Sequence, residues 1–533
     1  MTTQPSIERR LASASVASFA SFLVTILQSL LLVPLLLSAW QPEAYGQWIV
    51  VTTAFGLLTT MDLGLQNYVG NMLTMAGGDR TRIQERLGTG VRAACLTAAG
   101  LVVISAGLWF TKIIPVAPST DSAAEVSVVA AIGVLVAYWI AFGSIGGIAV
   151  RLYPACGLLS RQIWLSLLQR LAMTAALVAA AWLGFGLVGA TLAWTAAGSL
   201  VAGAILIDIR RRFSEFSPWW QDGSWREAVR LIGGSFGMIA VSLLDAMALT
   251  LLVILTDRWA SAGGVALFAA MRTATNAVMQ GSAVILTPVG PDLSRFAAAR
   301  DSMRTSSLIA GSWLIATGPL AFAVTATLPI TEVAFDLWTR RALPFSAGLF
   351  VSLIAAVLLR QWTSPLAMLL FCTNSIRAQF LVALGRCIAS ISVAAGLFGM
   401  LGIPAMGLGV LIGEAVAAVG VAVMTPLVFP RLCDRRCRRA GVLAFLQVAL
   451  ASGTLAGWWW LPSLGWQLWV TSLVAQTLVM VAQWNNLHPA ARSRIAALVP
   501  AFFRRLFPEP PVALAVLPSS EHPGRPSHHR RQA

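Results

Sequence analysis

Fourteen stretches of this chain are apolar for long enough to cross a lipid bilayer, and mostly short polar loops join them. The hydrocarbon core of a bilayer takes about 20 residues of helix, and a helix satisfies its own backbone hydrogen bonds there. The runs are approximately Ser15–Ala39, Gly46–Leu73, Val91–Phe110, Val126–Val150, Ile163–Leu183, Leu187–Ile207 and Leu231–Leu255, then Val265–Val289, Leu308–Leu328, Gly348–Phe371, Phe380–Met400, Gly407–Phe429, Val442–Leu461 and Trp466–Trp484. The fifth and sixth nearly fuse across Gly184–Gly186, so a count of thirteen stays open. Of the 533 residues 57% are hydrophobic and 11% charged, where soluble domains carry about 25% charged. The pattern predicts an all-α polytopic membrane protein with about 14 transmembrane helices.

An internal repeat is visible in the polar residues. The first run carries Ser18, Thr25 and Gln28, and the seventh carries Ser235, Ser242 and Asp245. Both sets are spaced seven then three, which puts each on one helix face. A shift of 217 residues also brings Tyr45–Gly46 onto Ala262–Gly263. This spacing predicts two pseudo-symmetric six-helix lobes, 1–207 and 231–430, joined by a cytoplasmic linker, 208–230. Residues 431–486 supply two additional transmembrane helices. The segment 487–533 reads as a cytoplasmic amphipathic helix followed by a disordered tail. Repeats of this kind place substrate sites near mid-membrane, between the halves.

Charge sets the orientation. There are 37 basic residues against 21 acidic ones, a net charge of +16, and Lys112 is the only lysine. In a soluble protein such a balance hints at nucleic acid; here it belongs to loops facing anionic membrane lipids. One set of loops holds Arg80, Arg82, Arg86, Arg151, Arg161, Arg210–Arg212, Arg295, Arg300, Arg304 and the arginines from Arg431 to Arg439. The opposite set holds Lys112, Arg258, Arg340 and Arg341. Positive loops stay in the cytoplasm, so both termini are expected inside, with the chain in a bacterial inner membrane.

Five ionisable residues lie well inside apolar runs: Asp62, Asp245, Arg272, Arg360 and Glu414. A charge at the bilayer centre costs about 2.5–3.5 kcal/mol even on the lenient insertion scale, so these groups are expected to face each other or water. The eighth run stacks Arg272, Asn276 and Gln280 on one face, and the second stacks Thr52, Thr59, Asp62 and Gln66, with Asn67 and Asn71 beyond. One reading pairs Arg272 with Asp245 or Asp62 as a structural bridge. The other has Arg272 and Arg360 meet an anionic substrate, since the guanidinium fork suits phosphate oxygens. Asn276, Gln280, Gln28, Gln66 and Asn67 would line the same polar cavity, with Asp62, Asp245 and Glu414 serving coupling or ion pairing.

No GxxxxGK[ST] loop and no catalytic zinc spacing is present. The six cysteines form no disulfide pattern, and Cys433 and Cys437 sit among arginines that disfavour a metal. No cofactor and no metal is expected, and no enzymatic activity.

The segments Gln41-Pro-Glu-Ala-Tyr-Gly-Gln-Trp48 and Met61-Asp-Leu-Gly-Leu65 resemble the opening signature of the polysaccharide transporter family, which includes the O-antigen and exopolysaccharide flippases of the MOP superfamily. The resemblance implies two six-helix lobes in a V, helices thirteen and fourteen added, and alternating access around a cationic cavity. It implies a cargo of undecaprenyl-pyrophosphate-linked oligosaccharide, moved from the inner to the outer leaflet for surface polysaccharide synthesis, with polymerase and glycosyltransferases of the pathway as partners. Of the arginines that related lipid flippases place in the first, second and eighth helices, only Arg272 finds a match; Gln28, Asp62 and Gln66 stand in the first two. Two alternatives stay open: a multidrug antiporter of the same superfamily, and an outer-leaflet glycan polymerase or ligase.

Overall fold

A computed structural model describes residues 7–40, 42–77, 79–111, 122–259, 262–339, 341, 343–430, 434–489 and 492. Of the amphipathic segment and tail expected over 487–533, residues 487–489 and 492 are described and the rest fall outside. Each apolar run falls in one long helix or helical stack. These are α1 (Ile7–Ala39), α2 (Pro42–Met75), α3 (Arg80–Thr111), α4 (Ser122–Tyr138), α5 (Leu159–Trp182), α6 (Leu187–Arg212) and α7 (Trp225–Trp259). There follow α8 (Ala262–Leu286), α9 (beginning Ser302–Ser312), α10 (Ala347–Cys372), α11 (Ile376–Leu401), α12 (Pro404–Val428), α13 (Arg435–Trp460) and α14 (Gly465–Asn486). Eleven helices among the described residues are long and apolar enough to cross a membrane, and α1, α2 and α8 are further helices of 33, 34 and 25 residues. The chain is a multi-pass, all-α membrane protein.

The fifth and sixth runs do not fuse. α5 ends where Gly184 takes φ +81°, a conformation that suits a residue without Cβ. The Phe185 amide then returns to the Ala180 carbonyl and the Gly184 amide to Ala181, closing a Schellman-type turn.

Two helices carry wide turns that hydrophobic periodicity does not announce. α4 passes through a π-helical segment, Trp139–Ser144, before continuing as Ile145–Val150. There the Gln66 side chain of α2 donates to the Gly143 carbonyl at 3.0 Å, an insertion that opens the ladder. α9 passes through a second, Trp313–Thr317, before Gly318–Thr327. Pro319 has no N–H to offer the carbonyl four residues back, and the helix widens around the gap.

The outer surface is apolar in the manner of lipid contact: Val103, Leu200, Met400 and Leu478 are all exposed. α10 is the reverse, buried almost continuously from Leu349 to Leu358, as a helix apolar all round should be. Four buried apolar clusters organise the interior. Two draw on residues up to Leu231 and two on residues from Leu252 onward.

The 217-residue shift has a structural counterpart in a turn. After the fourth run, Gly157 has φ +82°, its amide bonds to the Pro154 carbonyl, and Leu158 returns to Tyr153. After the tenth, Asn374 has φ +54°, its amide bonds to Phe371, and Ser375 returns to Leu370. Every participating residue is displaced by the same 217 positions. The two parts of the chain meet at the ends bearing the arginine-rich loops. Asn71 donates to the Phe371 carbonyl at 2.7 Å and to Asn374 Oδ1 at 2.8 Å, and Asn374 donates to the Tyr68 carbonyl at 3.0 Å. Arg295 caps the Pro154 and Ala155 carbonyls, each at 2.7 Å.

Candidate functional site

A cavity of about 450 Å³, with polar side chains set in a mostly apolar wall, lies among α1, α2, α4, α5 and α6, within the size range of small-ligand pockets. Amides line it from several helices: Gln28 of α1, Gln66 of α2, and Gln162 and Gln169 of α5. Aromatic rings close the rest, with Tyr138, Trp139 and Phe142 on α4, Phe55 on α2 and Trp194 on α6. Phe55 meets Trp139 and Trp194 edge-on, at 5.8 and 6.3 Å, and Trp194 meets Tyr138 at 6.1 Å, so the rings brace one another. The charged lining residues are Arg151 and Arg170, and no carboxylate lines the cavity among the described residues.

Asp62 sits behind this wall rather than on it. It is fully buried and accepts four hydrogen bonds. Gln66 Nε2 and the Trp139 indole N–H donate to Oδ2 at 3.0 Å each, while Ser144 Oγ and Thr97 Oγ1 donate to Oδ1 at 3.1 and 3.2 Å. Four donors, one from its own helix and three from α3 and α4, fix the carboxylate. Asp62 thereby ties both ends of the π segment and aims Trp139 and Gln66. Gly147 is required here, since a Cβ at that position would lie 2.5 Å from the Gln66 amide.

The arginines of the cavity are held differently. Arg151 Nη2 donates to Asn67 Oδ1 at 3.0 Å, and its Nε is buried without a partner. Gln162 Oε1 is likewise buried and unpartnered. Arg170 reaches the hydroxyl of Thr25 on α1, and Gln28 of the same helix donates to Thr174 of α5.

A second charged group lies in the later helices. Arg386 of α11 is 12% exposed and bonds Asp245 of α7 at 2.7 Å, with Glu414 of α12 at 3.4 Å on its other side. Glu414 also meets Arg360 of α10 at 3.4 Å. Two arginines and two acids form one chain across four helices, an arrangement that neutralises each charge.

The two groups are related by the same 217-residue shift. Thr25 and Gln28 correspond to Ser242 and Asp245 under the 217-residue shift, and Arg170 falls one position from Arg386. In the later half the arginine is bound by an acid. In the earlier half the acid's place is taken by Gln28, and no described carboxylate lies within ion-pairing distance of Arg170.

The polar residues singled out in the sequence therefore do not converge on one passage. Gln28 and Gln66 line the cavity, and Asn67 supports it through Arg151. Arg360 is drawn instead to Glu414, and Asp245 to Arg386, because those pairs satisfy buried charges locally. Asp62 and Asp245 thus bond other partners than Arg272. Arg272 and Asn276 are half-buried on α8 and are not among the cavity lining; the Gln280 side chain lies outside the described residues. Sequence reasoning missed Arg170, Arg386, Arg151 and Trp139. The first two stand well inside the runs Ile163–Leu183 and Phe380–Met400, a signal of the same kind that exposed Arg360.

Neither a protein-family model nor a curated protein matches this sequence. Solved structures match it in shape. A mutant of the Vibrio cholerae MATE transporter VcmN is 13% identical with a TM-score of 0.65, covering 81% of this chain and 98% of that one. An outward-facing multidrug resistance MATE family transporter of the MOP superfamily is 15% identical, with a TM-score of 0.61 over 80% and 97%. A MOP superfamily transporter from Pyrococcus furiosus, whose pocket of reverse polarity is described as suggesting a different function, is 14% identical with a TM-score of 0.62 over 80% and 97%. At these identities the likeness establishes the fold: that of MATE-type transporters.

Proposed function

We propose that this protein is a flippase that moves a lipid-linked oligosaccharide bearing a pyrophosphate from the inner to the outer leaflet of a bacterial inner membrane. The observation that carries the reading is the sign of the cavity. Its charged lining residues are arginines, and Arg170 stands without the acid that binds its counterpart Arg386. A guanidinium facing a polar cavity inside the membrane suits a phosphate oxygen. The interior acids are meanwhile satisfied by the protein itself: Asp62 by four neutral donors, Asp245 and Glu414 by arginines.

On this reading the two repeats act as two lobes, 1–207 and 231–430, rocking about their shared face. The Asn71–Asn374 and Arg295–Pro154 contacts would close the cytoplasmic side. The pyrophosphate contacts move from Arg272 and Arg360 to Arg170 and Arg151. A MATE-like antiporter is the second reading, favoured by the fold of the neighbours; it would require a cation to reach Asp62 through its four donors. Reconstitution in liposomes with a fluorescent polyprenyl-pyrophosphate oligosaccharide tests the choice. Exchange between leaflets that falls at least tenfold in Arg170→Gln supports the flippase. Unchanged exchange in that variant removes Arg170 from the phosphate site, and wild-type protein that exchanges no lipid but exports a cationic dye refutes the flippase.

A further inference from the structure

The chain that passes from α6 to α7 does not hang free between the halves. α3 presents Arg80, Gln84, Gly88 and Arg92 at intervals of four, one stripe along its first turns. Arg80 meets Glu215 at 3.5 Å, and Gln84 donates to the Pro218 carbonyl at 3.2 Å. At Gly88 the two backbones touch, and a Cβ there would strike the Gln221 carbonyl oxygen. The Ser224 amide donates to Thr89 Oγ1 at 3.2 Å, and the Arg92 guanidinium lies 5.7 Å from the centre of the Trp225 ring. Beneath this stripe Phe213, Phe216, Ala228 and Leu231 are buried in one cluster with Leu87 and Val91 of α3. Further along α7 the company changes. Asp245 bonds Arg386 of α11, Leu252 joins the apolar cluster of the later helices, and Trp259 meets Phe398 at 5.5 Å.

Between the two environments stand Gly233, Gly234 and Gly237. A Cβ at Gly234 would lie 2.9 Å from Tyr68 of α2, and one at Gly237 would strike Ile376 of α11, so α7 is wedged here between the halves. Gly64 of α2 also lies against Ser235 and Ile239. Gly233 has no packing reason of this kind. It is exposed, and a Cβ there would meet nothing within 4 Å among the described residues. Glycine inside a helix is less stable than alanine, and sharp bends gather at glycine–serine pairs such as Gly234–Ser235, which follows. We propose that Gly233 is the joint between the two halves, and that residues 213–224 are a splint fixing the first turns of α7 to α3. The inference rests on the rocking of the halves and holds whichever cargo moves. Residues 225–232 ride with the first half and 237–259 with the second. When the Asn71–Asn374 contact opens, α7 bends at Gly233, Gly64 and Tyr68 part from it, and the splint stays on α3.

The test places spin labels, carried on a non-natural amino acid so that the native cysteines are untouched, on protein in liposomes. Labels at Arg82 and Arg226 span the splint, and labels at Arg82 and Arg377 span the joint; all three residues are exposed. The first pair should give one narrow distance and the second pair two. Gly233→Ala adds a methyl group to open space, so it should melt no earlier than wild type. Its share of the bent state, read from the Arg82–Arg377 pair, should fall about fivefold, the helical preference of alanine over glycine, and lipid exchange should slow with it. Gly203→Ala on α6, where a Cβ also meets nothing within 4 Å, should change neither. Gly223→Ala drives a Cβ into Arg92 and should broaden the Arg82–Arg226 distance. A wild-type Arg82–Arg226 distance as broad as the Arg82–Arg377 one overturns the splint, even if a variant fails to fold. A single Arg82–Arg377 distance in wild type, or wild-type proportions in Gly233→Ala, overturns the joint. Wild-type protein that shows both distances and exchanges no lipid overturns the flippase reading and leaves the joint standing.

Discussion

Gln28 occupies on α1 the place that Asp245 occupies on α7, and this suggests a substitution with opposed effects on stability and function. Gln28→Asp would give the first half the acid of the second. The reference geometry is the Arg386–Asp245 bond at 2.7 Å. At that distance the gross attraction is about 6 kcal/mol for an effective dielectric constant near 20. Most of it is cancelled by desolvation and by ordering the arginine, which is exposed to the cavity. A net gain of about 1 kcal/mol remains, for a modest rise in melting temperature. The same carboxylate competes with a phosphate for Arg170, and 1 kcal/mol of competition corresponds to about fivefold weaker binding. Repulsion between carboxylate and cargo adds to that, so exchange of the lipid-linked saccharide should fall five- to tenfold or more. Gln28→Asn, which keeps an amide and adds no charge, should lose less than half the rate. The assay is fluorescent lipid exchange in proteoliposomes beside thermal melting in detergent. A Gln28→Asp protein that melts earlier than wild type, or that exchanges lipid at the wild-type rate, would show that the two arginines are not counterparts.

The remaining predictions concern the support of the site. Arg386→Gln leaves Asp245 without its cation while Glu414 keeps Arg360, so unfolding stability should drop by about 3 kcal/mol; a melting temperature within a degree of wild type would contradict the neutralising role. Asp62→Asn turns two acceptor sites into donors facing donors and should cost about 2–3 kcal/mol while shifting Trp139; a variant that folds normally and loses only ion coupling would favour the antiporter. Gly409→Ala places a Cβ 2.5 Å from the Ser390 carbonyl, a backbone atom that cannot step aside, and should loosen α11 from α12, seen as lower yield and earlier melting. Cysteines at Asn71 and Asn374, whose side chains touch at 2.8 Å, should cross-link under oxidation and stop exchange until reduced; exchange that continues while cross-linked would exclude this contact as a gate.

The spans were legible because a membrane demands one thing of a helix, a run of about 20 apolar residues, and every run became helix. The polar spacing proposes a repeat, and the turns at Gly157 and Asn374 share its 217-residue displacement. Partner choice was not legible. Asp245 and Arg386 are 141 positions apart, and only the packing of α7 against α11 makes them neighbours. The π segment of α4 was equally hidden, because its cause lies on another helix, in the Gln66 side chain. Arg170 and Arg386 were hidden for a lesser reason. Each was readable as an arginine within an apolar run, and the repeat already aligned them to within one residue.

That alignment gives the flippase reading a division of labour between the two halves. On that reading two bundles must stay rigid while they move against each other, and polar surface must stay open to a cargo. A buried ion pair secures rigidity at the expense of the open charge, because each arginine serves either a resident acid or a passing anion. The second half takes the first course with Asp245, Arg386, Glu414 and Arg360. The first half keeps its acid, Asp62, out of the cavity and anchors it to uncharged donors, which leaves Arg170 facing the lumen. Gln28→Asp combined with Asp245→Gln should bind Arg170 to an acid while Arg386 keeps Glu414, so that neither half presents an unpaired guanidinium. Lipid exchange in the double variant should stay as low as in Gln28→Asp alone. Exchange restored to the wild-type rate would mean that Arg386 can take over the duty of Arg170, and that Asp245 alone had kept it from the cargo.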